Sequence, residues 1–313
     1  MWFRNLLVYR ITAPWRIEAE AFDAGLAQGR LQPCGSLAME SRGWVCPRDD
    51  ERFIYSLNRH WLIALGVEEK LLPSSIVRQV ADERAAELEK RQGHPVGRKQ
   101  LRDLRIQVTD ELLPRALARR RVTRAWIDIE NSWLAIDVGA PAKGDEFVEV
   151  LRRTHDHLPT IVRLETHRET GPLLTHWVET GEAPDGFTID RDLELQAADG
   201  SKAIVRYSNH NLDGRDIQSH IRAGKTATKL GMTWRDRISF VLTDQMQIRR
   251  LDFLDVLRSE GEVDDPDEQF EIDFTIMTGE LSKCLAELTE ALGGIKGVSR
   301  SSQGEAERML AES

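Results

Sequence analysis

Cysteine is scarce. The 313 residues contain three, Cys34, Cys46 and Cys284. That excludes a disulfide-stapled scaffold, and the 11 residues between Cys34 and Cys46 match no common zinc spacing. All three are expected to be small buried apolar groups in a reducing, cytoplasmic compartment. Long hydrophobic runs are missing too. No stretch approaches about 18 consecutive apolar residues, so no membrane-spanning helix is expected. The start of the chain, Met1 to Arg10, has neither a long apolar core nor a small-residue cleavage site. It is expected to be a folded first strand, not an export signal.

Catalytic motifs are wanting as well. There is no Gly-x-Ser-x-Gly elbow and no cysteine in a recognisable nucleophile setting. Gly224-Lys225-Thr226 resembles the close of a phosphate-binding loop, but Ser219 stands where that loop needs its first glycine. The segment is expected to be a turn entering a strand, with Lys225 and Lys229 as candidates for contact with a nucleic-acid backbone. His155 and His157, near His167 and His176, lack the converging ligand set of a metal site. A place at a helix end, where histidine suits the dipole, is expected for the first two. The acidic stretch Glu262, Asp264, Asp265, Asp267, Glu268, Glu271 and Asp273 has no calcium-loop register and is expected to be a solvated face. No cofactor, no metal and no enzyme activity are expected.

What the chain does have is segregated charge. Lys and Arg number 43 against 52 Asp and Glu, a net charge of −9. Yet Arg84 to Arg124 holds 12 basic and 5 acidic residues, a local +7, while Leu251 to Leu292 sums to 2 − 13 = −11. Such a molecule attracts a polyanion on one surface and repels it elsewhere. At 41% hydrophobic and 30% charged, the chain has the composition of a soluble folded protein large enough for a sizeable core.

Periodicity predicts an α+β fold with mixed or antiparallel sheets. Strands are expected at Phe3–Arg10, His60–Val67, Arg124–Ile129, Trp133–Val138, Thr160–Leu164, Ala203–Tyr207, Thr226–Met232, Ile238–Thr243 and Gln247–Phe253. Helices are expected at Ile17–Leu26, Phe147–Leu151, Leu173–Glu179, Asp213–Arg222 and Gln269–Leu292. Pro73-Ser74-Ser75 opens a long helix that ends at Gly93. A second runs from Arg98 to about Leu112, with Leu101, Leu104, Val108 and Leu112 on one stripe. Arg98, Lys99, Arg102 and Arg105 fall on another arc. Pro114 is expected to restart a helix through Arg115 to Arg119, Arg120 and Arg121, giving a helical tip (73–124) with a basic end. The expected division is an N-terminal region 1–165, a C-terminal region 166–294 and a disordered tail 295–313.

The basic block holds no aromatic residue, and Trp2, Trp61, Trp126 and Trp133 sit in apolar strand contexts. Duplex binding through phosphates therefore fits better than single-strand binding by base stacking. No side-chain set is arranged to read base edges, so sequence independence is expected. Two alternatives stay open. One is a metal-dependent nuclease using the carboxylates between Glu262 and Asp273; the other is an interaction protein whose basic face docks an acidic partner.

Several ordered blocks resemble the bacterial recombination-associated RdgC family. They are Trp2 to Arg10, Pro33 to Ser36 with Gly43 to Val45, Glu68 to Pro73, Leu112 to Ala116 and Trp126 to Asp128. The second half adds Ala223 to Lys225, Thr228 to Leu230, Trp234 and Phe274 to Leu281. The resemblance implies a horseshoe-shaped subunit that closes with a second copy into a ring around double-stranded DNA. It also implies association with the nucleoid, restraint of RecA, and no enzyme activity. Carried over by position, Arg115 and its neighbours lie on the tip and Leu117 in a dimer contact there. Lys225 and Lys229, with Arg206, Asn209 and His210, lie along the inner surface. Leu117 replaces the family's phenylalanine. Asn209 and His210 replace a lysine and a glutamine, which implies a weaker or pH-sensitive contact.

Overall fold

The computed structural model describes residues 2–297 apart from 49, 156–157, 213, 259–262 and 264. Two antiparallel sheets organise the chain. The seven-stranded sheet runs β2 (Glu40–Val45), β4 (His60–Lys70), β5 (Ala118–Asp128), β6 (Trp133–Ile136), β1 (Leu7–Ile11), β7 (Ile161–Arg163), with β3 (Ile54–Leu57) also pairing β4. The five-stranded sheet runs β12 (Ile248–Phe253), β11 (Ile238–Thr243), β10 (Lys225–Trp234), β8 (Phe187–Ala197), β9 (Ile204–Tyr207).

On one face of the larger sheet lie α1 (Ala19–Gln28) and α4 (Pro141–Thr154). Phe22 and Leu26 of α1 and Phe147, Val148 and Leu151 of α4 pack there with Trp61, Ile63 and Leu134. The opposite face shares a core with the smaller sheet, with α5 (Thr170–Thr180), with α6 (Arg215–Arg222) and with the long α8 (Pro266–Ala291). Helix α7 (Asp255–Arg258) is a single turn before it. The sheets are stitched directly as well: Leu6 and Ile248 exchange backbone hydrogen bonds at 2.8 and 3.1 Å, and the Leu251 amide donates to the Arg4 carbonyl. Asp128, wholly buried, sits at this junction. It accepts from the Asn131 backbone amide and side chain (2.9 and 2.8 Å) and from the Ser282 hydroxyl of α8 (2.6 Å). His60 approaches it at 3.9 Å. These donors replace the water this carboxylate would otherwise need.

β4 and β5 explain the shape of the basic region. Both are 11 residues long and pair along their whole length, from His60↔Asp128 to Lys70↔Ala118. Only their inner halves are sandwiched between layers. Ala125 to Asp128 are buried, whereas Ala118 to Val122 are exposed, and β6 pairs β5 only at Ala125–Asp128. The outer halves form a ribbon beyond the sheet body, and α2 (Ser74–Gln92) and α3 (Arg98–Leu112) are appended to its end. Gly93 ends α2 in a left-handed conformation (φ 74°) that glycine adopts without strain. At α3 the expected stripe is present: Val108 is buried and Leu101, Leu104 and Leu112 are half-buried. Arg84 with Glu111, and Arg105 with Asp82, tie the two helices across their polar flank.

The helix expected after Pro114 does not form. Leu113–Arg115 is one 3-10 turn, and the chain then extends into β5 from Ala118. Arg119, Arg120 and Arg121 therefore lie on a strand, not on a basic helix end. The physical reason is the partner: β4 offers a full ladder of backbone groups, and Val122 and Thr123 are β-branched residues that favour a pleated surface. Strands β2, β3 and β8 were not anticipated. The other expected elements are present, most with ends shifted by a few residues; β5 begins at Ala118 where Arg124 was expected, and α4 spans Pro141–Thr154 where only Phe147–Leu151 was expected. Within the segment expected to be a disordered tail, Ile295 bridges Thr166; residues 298–313 lie outside the described residues. No helix among the described residues is long and apolar enough to cross a membrane.

Candidate nucleic-acid interface

The candidate cations fall into two groups, one on the tip and ribbon and one on the smaller sheet. At the tip, Arg98, Lys99 and Arg102 occupy the first turns of α3 and are all exposed. None of them forms a salt bridge among the described residues. The first turn has no acidic residue, although a helix N-terminus carries about half a positive charge of its own. Cations there are unfavourable in isolation and add to the local positive potential. An arriving phosphate reverses that balance, because it meets backbone amides and cations together. Gly97 caps the helix with an extended backbone, and its amide donates to the Gln100 side-chain oxygen at 3.1 Å.

Arg115 lies exposed in the 3-10 turn. Two residues on, Leu117 is 78% exposed, a large apolar side chain facing water. Its carbonyl accepts from the Leu71 amide at 2.7 Å, and the Met39 carbonyl accepts from the Lys70 amide. Met39 and Leu71 are also exposed, so this end of the ribbon carries an apolar patch. Beside it a recess of about 310 Å³ is lined by Met39, Leu72, Val77, Arg78, Arg105 and Thr109 among others.

The strand arginines are not bare. Glu68 Oε2 accepts from Arg120 at 3.1 Å. Glu69 Oε2 lies 3.6 Å from both Arg119 and Arg121. Glu68 is anchored on its other side, where Oε1 accepts from the Cys34 amide at 2.8 Å. That amide first, and Arg120 second, hold its carboxyl below the usual range.

On the smaller sheet, Arg206 of β9, Glu194 of β8 and Lys229 of β10 are register partners across three strands. Glu194, nearly buried, accepts from Arg206 Nε at 2.6 Å, from Lys229 Nζ at 2.9 Å and from the Thr228 hydroxyl at 3.0 Å. Burial pushes its carboxyl up, but the bonds from Arg206, Lys229 and Thr228 outweigh it and leave it at about 2. Lys225, at the head of β10, lies 3.2 Å from His220 Nδ1. Asn209 follows β9 with a positive φ of 49°, and its amide donates to Asp192. The His210 ring lies 5.2 Å from that of Tyr207, with Nδ1 2.7 Å from the Asn211 carbonyl oxygen. The structure thus brings Arg206 and Lys229 together and sets Asn209 and His210 at the end of the neighbouring edge strand. The charge-balancing residues Glu68, Glu69 and Glu194 went unnoticed in the sequence. The only local signal was the acidic pair Glu68-Glu69 beside Lys70; Glu194 had none.

Other candidates resolve differently. Among the described residues no group of three or more His, Cys, Asp or Glu side chains is placed to hold a metal ion. Asp265 caps α8 by accepting from the Asp267 amide, and Asp267 pairs with Arg48. Glu262 and Asp264 lie outside the described residues, as does His157. His155 caps the end of α4 and packs against Phe22, as a helix-end histidine. Trp61, Trp126 and Trp133 are buried and Trp2 is half-buried against the core, so all four serve packing.

Known proteins match nearly the whole chain. Residues 1–295 match a family profile described as "Putative exonuclease, RdgC". The recombination-associated protein RdgC of Dechloromonas aromatica is 49% identical over 299 residues, covering 94% of this chain and 98% of the relative. Its namesakes from Cupriavidus pinatubonensis and Herminiimonas arsenicoxydans are 48% and 47% identical over 296 residues, covering 94% of this chain and 99% and 98% of theirs. The chain belongs to the RdgC family.

Proposed function

We propose that the protein binds double-stranded DNA without sequence preference, as a ring-shaped homodimer of horseshoe-shaped subunits, and limits RecA-mediated recombination at the nucleoid. The observation that carries the binding is the trio Arg98, Lys99 and Arg102: three exposed cations at a helix N-terminus, without salt bridges among the described residues, in a chain of net charge −9. Attraction of that kind is for phosphate and carries no base information. The names of the relatives speak of recombination; the RecA step rests on the resemblance to their family. In this reading the region 1–165 supplies the tip contact and 166–294 the second group of cations, Arg206, Lys225 and Lys229, with Asn209 and His210.

The exposed Leu117, with Met39 and Leu71 exposed at the same end of the ribbon, supports pairing of two tips. Leu117→Asp is expected to shift the dimer toward monomer in sedimentation velocity while leaving the melting temperature unchanged. A dimer of unaltered affinity sinks the tip contact.

The test of the main reading is fluorescence anisotropy with two unrelated duplexes across a salt series. Equal affinities with a steep salt slope are expected. No binding at low salt overturns the reading. The family description also mentions an exonuclease, and incubation of end-labelled duplex with Mg²⁺ or Mn²⁺ separates that activity. Cleavage lost in Asp267→Ala would replace the present proposal.

A further inference from the structure

We infer that Glu68 and Glu69 are built-in competitors of the phosphate backbone, which set how tightly and how salt-dependently the strand arginines bind it. The inference rests on the duplex-binding reading. It starts from the register, in which Glu68 faces Arg120 and Glu69 faces Arg119, with Arg121 one step along. Three guanidinium groups, each about half exposed, are thereby balanced by two carboxylates. These three arginines and two glutamates together carry one net positive charge.

The two glutamates hold their arginines differently. Glu69 approaches at 3.6 Å on both sides and is itself 45% exposed. These are ion contacts without a tight hydrogen bond, and a phosphate oxygen can take them over. Glu68 is 15% exposed and clamped by the Cys34 amide. It stays in place when Arg120 swings away, and leaves a fixed negative charge beside the ligand. Binding at the ribbon is therefore an exchange of carboxylate for phosphate. A single small anion gains little from that exchange. Arg119 and Arg121 share one face of the ribbon with Glu69, and Arg120 shares the other with Glu68. A continuous row of phosphates along the outer edge of β5, which β6 pairs only from Ala125 on, is within reach of all three and gains more than the two carboxylates lose. The glutamates thus select for a dense polyanion and lower its affinity together.

The salt dependence makes this measurable. Each phosphate neutralised contributes roughly 0.9 to the slope of log affinity against log salt. Three uncompensated arginines would contribute about 2.7, and the same arginines balanced to one net charge about 0.9. Glutamine is the suitable replacement, because at position 68 its side-chain oxygen still accepts from the Cys34 amide. Glu194 is no equivalent test. It is almost enclosed by donors, and an amide nitrogen there would face Arg206 and Lys229.

The experiment is the anisotropy salt series on the full chain for wild type, Glu69→Gln, Glu68→Gln/Glu69→Gln and Arg119→Ala/Arg120→Ala/Arg121→Ala, with melting curves for all four. The double glutamine variant is expected to steepen the slope by about 2 and to tighten binding at 0.1 M salt by roughly 60-fold. Glu69→Gln alone should give about half that slope change and, should the double variant fold poorly, decides in its place. The arginine triple variant should flatten the slope by about 1. If wild type binds duplex and the glutamine variants keep its slope and affinity, the inference is overturned, whatever the arginine variant does. If wild type binds no duplex, the reading beneath it fails instead.

Discussion

The cations of α3 and those of the strands carry the same formal charge in two different electrostatic states. Arg98, Lys99 and Arg102 face water with no salt bridge among the described residues. Arg119, Arg120, Arg121, Arg206 and Lys229 each have a carboxylate within 4 Å. A helix places its cations by local periodicity and gives them neighbours from its own sequence. A strand meets whatever the adjacent strand brings, and here β4 and β8 bring glutamates. The +7 of the window from Arg84 to Arg124 is therefore an upper bound on the charge available to a ligand. Arg98, Lys99 and Arg102 on α3 are its three most closely spaced cations without a salt bridge among the described residues.

The sharpest way to break this contrast is to remove the unpaired set. Arg98→Ala/Lys99→Ala/Arg102→Ala is expected to cut duplex affinity at 0.1 M salt by about two to three decades and to flatten the slope by about 3. Thermal stability should hold or rise slightly, since cations leave a helix N-terminus. A variant that binds like wild type moves the interface off α3.

Next in size is the buried member of the paired set. Glu194→Ala should lose about 2–3 kcal/mol of stability in urea unfolding, because it leaves Arg206, Lys229 and Thr228 without their shared acceptor. The same carboxylate predicts a pH dependence. Its folded value of about 2 lies below the ordinary 4.5, so its stabilisation is complete above about pH 4.5 and is lost as pH falls toward 2. Glu194→Ala should flatten the acid limb of the stability profile over that window. An unchanged acid limb would show that the carboxylate is not the titrating group.

The smallest effect is at the exposed ribbon. Arg121→Ala, whose partner contact is 3.6 Å between half-exposed groups, should change stability by less than about 0.5 kcal/mol. A loss several times larger would make the ribbon pairs structural, and the contrast between the two paired sites would disappear.

Elements whose signals are local were legible in the sequence. Pro73 and Gly93 bracket α2, the stripe of Leu101, Leu104, Val108 and Leu112 marks α3, and the apolar run from His60 marks β4. Strand β8 was hidden because Asp190, Arg191 and Asp192 interrupt its apolar pattern where its pairing with β10 is irregular, between Ile189 and Leu193. Strand β2 was hidden by Gly43, which lets the Arg30–Leu31 backbone approach within the space a side chain would fill. Pro114 misled in the other direction. It opens a single turn, and the ladder offered by β4 draws the next residues into a strand. Among the site residues, the α3 cations needed no long-range information, whereas Leu117 was reached only through the family resemblance. Glu194 between Arg206 and Lys229 depends on the register of three strands spread over 36 residues, from 194 to 229. No local pattern encodes that.

The hydrogen bonds joining Arg4 and Leu6 to Leu251 and Ile248 have a consequence for biosynthesis. During translation the first strand is made long before its partner in the smaller sheet, so the bridge must wait until residue 251 has left the ribosome. The inner face of the larger sheet waits longer still, for α8. Until then Leu62, Trp126 and Ala135, all buried in the finished core, have no covering layer on that side. Such long waits between partners slow folding and expose nascent apolar surface to aggregation. The growing chain is a natural client for a ribosome-associated chaperone, and a fragment truncated before α8 should be recovered in inclusion bodies.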